Sequence, residues 1–117
     1  MESKHSLAKS FKFAFDGIKE GIVKGRNFKI QIFLGVIAFF LGIFMDFSRV
    51  EMTILTLVIS MVLILELMNT AVEAIVDLVS PEIRDKAKVA KDVSAAAVLV
   101  SSVASVVVGV LLFINNL

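Results

Sequence analysis

The sequence contains no cysteine and a single histidine, His5. The first absence removes disulfides, thiolate catalysis and cysteine-based metal sites together. The second leaves nothing from which to build a catalytic triad or a histidine-rich metal site, because a lone imidazole near the start of the chain has no partner of its kind. Glycine-rich phosphate loops of the P-loop or kinase type are missing too. The basic residues are not gathered into a patch with interleaved aromatics, so the net charge of +1 gives no ground for nucleic acid as a partner. The opening Met-Glu-Ser-Lys-His lacks the uninterrupted apolar core of a signal peptide, and no cleavage is expected.

Charge is also absent from Val93 to Ile114, and that absence is informative in the other direction: it is the strongest membrane-span signal in the chain. With 58% hydrophobic residues and a mean hydropathy of +0.94, the composition is that of a membrane protein, and 117 residues give room for one domain. Three spans are expected, over 28–47, 52–79 and 93–114. A charged loop over 80–92 with a short surface helix, opened by Ser80-Pro81, separates the last two. Ahead of them, Leu7, Phe11, Ala14, Ile18 and Ile22 recur every three or four positions among lysines and acids. This predicts an amphipathic helix over about 6–24 lying in the membrane interface, the competing reading being a soluble helix packed on other helices. The fold class expected is therefore all-α and integral to the membrane.

Seven of the 12 lysines and arginines precede the first span or sit at its start, and Arg84, Lys86, Lys88 and Lys91 lie in the second loop. Arg49 stands alone in the first loop. The positive-inside rule places the N-terminus and the second loop in the cytoplasm. In the third span Ala97, Ser101, Ser105 and Gly109 recur every fourth residue, a small-residue face suited to close packing on protein.

One stretch breaks the apolar pattern. Within Glu66-Leu67-Met68-Asn69-Thr70-Ala71-Val72-Glu73-Ala74-Ile75-Val76-Asp77, the three carboxylates fall within about 40° of one another on a helix, with Asn69 about 60° to one side of Glu66. Ionisable groups at bilayer depth cost roughly 2.5 kcal/mol or more each, which makes this stripe a candidate site. The competing reading is a polar contact between helices, for which one or two such residues would suffice. Carboxylates, an amide and nearby lysines suit Mg²⁺ and polyphosphate, since hard oxygens take Mg²⁺ and ammonium groups neutralise phosphate oxygens. Phosphoryl transfer needs those parts and a carboxylate to accept the proton of the attacking hydroxyl. Glu66, the deepest, is best placed to meet a lipid hydroxyl, and Glu73 to meet the metal of a nucleotide.

The stretch at 66–77, followed by Ala90-Lys91-Asp92 and then Ser-Ala-Ala-Ala-Val-Leu, resembles the signature of the small bacterial integral-membrane diacylglycerol kinase and undecaprenol kinase family. The resemblance extends over nearly the whole chain, through Ser10-Phe11, Ala14, Gly17 and Arg26-Asn27-Phe28. It implies a homotrimer of three-span subunits in the bacterial cytoplasmic membrane, with ATP and Mg²⁺ bound at the cytoplasmic surface and the active site shared between neighbours. It further implies Glu66 as general base, Asn69 as a polar active-site residue, Glu73 as ligand of the metal and ATP, and Lys91 and Asp92 as nucleotide contacts. Asp77 and Lys88 would support them. Undecaprenol is the acceptor that Asn-Thr-Ala and Val-Asp-Leu favour, with diacylglycerol as the alternative.

The family's usual Glu-Arg-Asn is here Gly25-Arg26-Asn27, which removes a second metal-ligand carboxylate. Because the position lies at the wet end of the first span, Gly25→Glu is expected to cost folding little. The same glycine is the feature that would favour a non-catalytic oligomeric membrane protein over a kinase.

Overall fold

The protein was analysed as a computed structural model, which describes residues 6–80, 82 and 84–117. His5 and Pro81, which the reading of the sequence invokes, lie outside them. Among the described residues there are four helices and no strand: α1 (Leu7–Lys24), α2 (Arg26–Phe44), α3 (Arg49–Val79) and α4 (Asp85–Asn115). The last three are long and apolar enough to cross a membrane.

Local chemistry accounts for the helix ends. Ser6 caps α1, its hydroxyl accepting the Lys9 N–H at 3.2 Å, and Lys12–Asp16 and Lys24–Glu20 pair across single turns. One residue, Gly25, separates α1 from α2; its N–H still donates to the Gly21 carbonyl at 2.8 Å, and its ψ of 105° then redirects the chain. The first span ends three residues earlier than expected. Asp46 adopts a left-handed φ of 57°, a conformation that aspartate tolerates better than most residues, and so turns the chain after Met45. Ser48 and Glu51 then form a reciprocal capping box that starts α3.

The second loop is shorter than expected. Instead of a loop over 80–92 with a separate short helix, α4 begins at Asp85 and continues without a break to Asn115. Asp85 in the first turn complements the helix dipole, and the Lys88–Asp92 pair at 2.6 Å spans the next turn, so the charged segment forms the first two turns of the span's own helix.

Helix α3 is the middle element, packing on α4 along its length and on α2 on its other flank. Two contacts at opposite ends fix the antiparallel register of α3 and α4: Asp77 with Lys91, and Glu51 with Asn116. The buried apolar residues are few: Phe28, Phe47, Leu55, Val62 and Val98. Phe33, Phe44, Leu57, Leu99 and Leu111 face outward, as expected of helices whose surroundings are hydrocarbon rather than water. Of the small-residue face on α4, Ser101 is buried against α3 and Ala97 is exposed.

Candidate functional site

The buried seam of α3 changes character along its length. Leu55 and Val62 hold it apolar in one half, and the same face continues through Glu66, Asn69, Glu73 and Asp77 in the other. Glu66 is 4% exposed, and its Oε1 has no hydrogen-bond partner; Asn69 Oδ1 is likewise buried and unpartnered. An unsatisfied buried polar atom costs roughly 1–3 kcal/mol, so two on adjacent turns require an explanation outside stability. Glu73, one turn beyond Asn69, is exposed and has no ion-pair partner among the described residues. Asp77 is the exception, taking the Lys91 Nζ at 2.7 Å.

The structure brings five of the sequence-predicted groups to one face: Glu66, Asn69, Glu73, Asp77 and Lys91. Asp92 is not among them. Adjacent helical residues point about 100° apart, so with Lys91 turned toward α3, Asp92 is carried round α4 and pairs with Lys88 on its exposed side. A hollow of about 250 Å³ lined by Asp77, Lys88 and Lys91 opens beside the group. The larger one, about 630 Å³, lies between Ile75, Val79, Arg84 and Lys86 and holds none of the predicted site residues.

Gly25 sits against this group. A Cβ there would come 2.7 Å from the Gly21 carbonyl oxygen and 3.5 Å from Thr70 Oγ1, whose hydroxyl donates to the Glu66 carbonyl at 3.2 Å. The expectation that Gly25→Glu costs folding little is therefore corrected. The atom in the way is backbone, and the α1–α2 junction must shift to admit any side chain.

Two polar contacts escaped the reading of the sequence. Gln31 Nε2 on α2 donates to Ser102 Oγ on α4 at 3.4 Å, and Glu51 Oε2 accepts from Asn115 and Asn116 Nδ2 at 3.0 and 2.8 Å. Gln31 was visible only as a polar break in an apolar run, and its partner is 71 residues away.

No group of three or more histidine, aspartate or glutamate residues forms a preassembled metal cage among the described residues. The donor set nevertheless suits a hard divalent cation that keeps waters and phosphate oxygens, because an unpaired carboxylate at Glu73 stands two turns along the same helical face from an unpartnered one at Glu66.

The profile of the prokaryotic diacylglycerol kinase family matches residues 12–113. The chain belongs to this family of lipid kinases. It is similar to the diacylglycerol kinase of Synechocystis sp., 38% identical over 105 residues, and to the undecaprenol kinase of Bacillus subtilis, 38% identical over 109. These matches cover 89% and 93% of this chain. The chain spans 60% of the length of the Synechocystis relative and 89% of that of the Bacillus one. The diacylglycerol kinase of Haemophilus influenzae is 30% identical over 108 residues, 92% of each chain. The resemblance read from residues 66–77 and 90–92 thus holds at the level of the family.

Proposed function

We propose that this protein transfers the γ-phosphate of ATP to the hydroxyl of a membrane lipid alcohol, undecaprenol, giving undecaprenyl phosphate and ADP. The observation that carries the reading is the buried, unpartnered Glu66 oxygen at the deep end of a polar stripe inside a family of lipid kinases. A base for a lipid hydroxyl has to lie below the water-facing surface, and a carboxylate held there without a partner keeps a free lone pair for the proton.

In this reading the acceptor hydroxyl approaches Glu66, its oxygen bonds to the γ-phosphorus, its proton passes to the Glu66 carboxylate, and the bond to ADP breaks. Asn69, one turn nearer the water-facing end, holds the hydroxyl or a phosphate oxygen through its amide. Lys91 neutralises charge on the phosphates, and Asp77 keeps its ammonium over the stripe. Glu73 would hold Mg²⁺, which when bound offsets the charge that develops on the phosphate oxygens.

Asp92 faces away from its own chain's stripe, which suits a nucleotide contact shared between neighbouring subunits of a homotrimer, and Lys88 supports it through their ion pair. The single domain 1–117 would sit in the bacterial cytoplasmic membrane, with α1 in the interface and the N-terminus and active site on the cytoplasmic side, as the lysine and arginine distribution favours. Undecaprenol is supported by Asn69-Thr70-Ala71 and Val76-Asp77-Leu78 and by the match along most of the Bacillus subtilis relative. Diacylglycerol is the second reading, favoured by the names of the Synechocystis and Haemophilus relatives.

Incubating the purified protein in vesicles with γ-labelled ATP and a panel of undecaprenol, diacylglycerol and a fatty alcohol tests this. Label in undecaprenyl phosphate above all other products is expected. Preference for diacylglycerol moves the assignment to the second reading, and label in no lipid at any Mg²⁺ concentration moves it to a non-catalytic membrane protein.

A further inference from the structure

Beyond the polar stripe, α2, α3 and α4 leave a cleft of about 230 Å³ between them. Its walls are apolar, with Leu34, Val58 and Val62 among them, and Gln31 and Ser102 close it at the end nearest the stripe. The register set by Asp77–Lys91 and Glu51–Asn116 puts Ser102 level with Glu66, and Val62 is the next residue along the same face of α3. The cleft therefore runs from the depth of the unpartnered carboxylate toward the opposite end of the helices. Gly109 lines it, and a Cβ added there would meet no atom within 4 Å, so the space is open rather than merely thinly packed.

We propose that this cleft seats the hydrocarbon of the acceptor lipid next to its hydroxyl, and that Gln31, held by Ser102, is a positioning residue that aims the hydroxyl at Glu66. The inference rests on the lipid-alcohol kinase reading and deepens it by naming the part of the substrate that the chain grips. At 3.4 Å the Gln31–Ser102 contact is longer than the usual 2.7–3.2 Å for an N–H to oxygen hydrogen bond, so the amide gives up little in exchanging it for the acceptor's oxygen. Size selects the kind of lipid. An apolar cavity of about 150 Å³ takes the six carbons of benzene, so this one takes on the order of nine carbons of one chain. A single-chain alcohol with hydrocarbon directly beside its hydroxyl fits; two acyl chains side by side do not.

The test uses the full chain in vesicles and compares wild type with Gly109→Leu, which fills the cleft, and Gln31→Met, which keeps the side chain's length and removes its hydrogen bonding. Acceptor KM and kcat, ATP KM, oligomeric state and melting temperature are measured for undecaprenol and dioleoylglycerol. Gly109→Leu is expected to raise the KM for undecaprenol about tenfold or more, with the KM for ATP, the oligomer and the melting temperature unchanged. Gln31→Met is expected to lower kcat/KM for undecaprenol about fivefold, again without moving the KM for ATP. A purely structural role for Gln31 would lower stability and affect both substrates together. Unchanged acceptor kinetics in both variants overturn the proposal while leaving the lipid kinase reading in place. Dispersal of the oligomer by Gly109→Leu also overturns it, because the cleft would then be filled by a second copy of the chain. If Gly109→Leu does not fold, Gln31→Met decides alone. A wild type that phosphorylates no lipid alcohol sinks both readings.

Discussion

At one end of the α3–α4 pair, Glu51 has both carboxylate oxygens occupied: Oε1 by the Ser48 N–H at 2.8 Å, Oε2 by Asn115 and Asn116 at 3.0 and 2.8 Å. In the other half Glu66 and Asn69 each keep a buried oxygen with nothing to accept. Phe47 packs tilted on Phe113, ring centres 4.9 Å apart, beside the satisfied group, and the left-handed Asp46 completes the turn. The same residue types are thus used in opposite ways. Where every donor meets an acceptor, polar residues tie the helices together; where they do not, the fold bears a cost that a group from outside the chain would remove. Substitutions at the first end should register in stability and at the second in turnover.

The sharpest contrast is expected at Glu66. Glu66→Gln keeps the shape, removes the proton acceptor, and should lower kcat by roughly 100-fold or more while the protein stays folded and binds ATP. Single-turnover transfer from labelled ATP, read beside a melting curve, checks both halves; retention of a tenth of the wild-type rate would remove Glu66 as the base. Lys91→Met comes next, with a rise of about tenfold or more in the KM for ATP, as loss of a charge-assisted phosphate contact implies. Its effect on the melting temperature should be small, because the Asp77–Lys91 pair is solvent-accessible, with side-chain exposures of 65% and 42%, and such pairs contribute little. A large loss of stability with an unchanged KM would assign Lys91 to the fold instead.

Much of this was legible beforehand. Three spans followed from apolar runs, and the stripe at 66–77 followed from helical periodicity, because both depend on residues close together in sequence. Asp92 shows the limit. Its place beside Lys91 in a motif suggests a shared target, while the 100° between neighbours on a helix sends the two side chains to different sides of α4. Gln31 with Ser102, and Glu51 with Asn115 and Asn116, depend on register between distant segments, which composition does not encode. The crowding at Gly25 is local, four residues from Gly21, but it depends on how tightly the chain turns between α1 and α2, which residue types alone do not reveal.

That crowding sets a third, smaller effect. Gly25→Glu should lower the Mg²⁺ concentration for half-maximal activity several-fold by restoring a hard oxygen, and at the same time cost about 1–3 kcal/mol as the junction shifts. Mg²⁺ titration at saturating ATP, together with denaturation of both forms, separates the two. Superimposable Mg²⁺ curves would mean that another group already fills the position. The smallest effect on catalysis belongs to the satisfied end. Ser48→Ala removes the cap of α3 and should cost about 1 kcal/mol. Glu51→Ala should lower the melting temperature as well, since it loses the Asn115 and Asn116 contacts, and neither variant should alter kcat. A fall in kcat without a fall in stability would show that the two ends are coupled.

Helices α3 and α4 each run for 31 residues, or about 46 Å at 1.5 Å per residue, whereas the hydrocarbon layer of a bilayer is about 30 Å thick. Roughly a third of each rod must stand clear of the acyl chains or tilt to enter them. With that excess at the stripe end, the boundary between hydrocarbon and headgroups would cross the polar stripe, and small changes in lipid chain length would slide it along that stripe. In thick membranes Glu73 would then be drawn toward the acyl region, and in thin ones Glu66 would meet water, so the thickness of the host bilayer would act on this chain with no ligand involved.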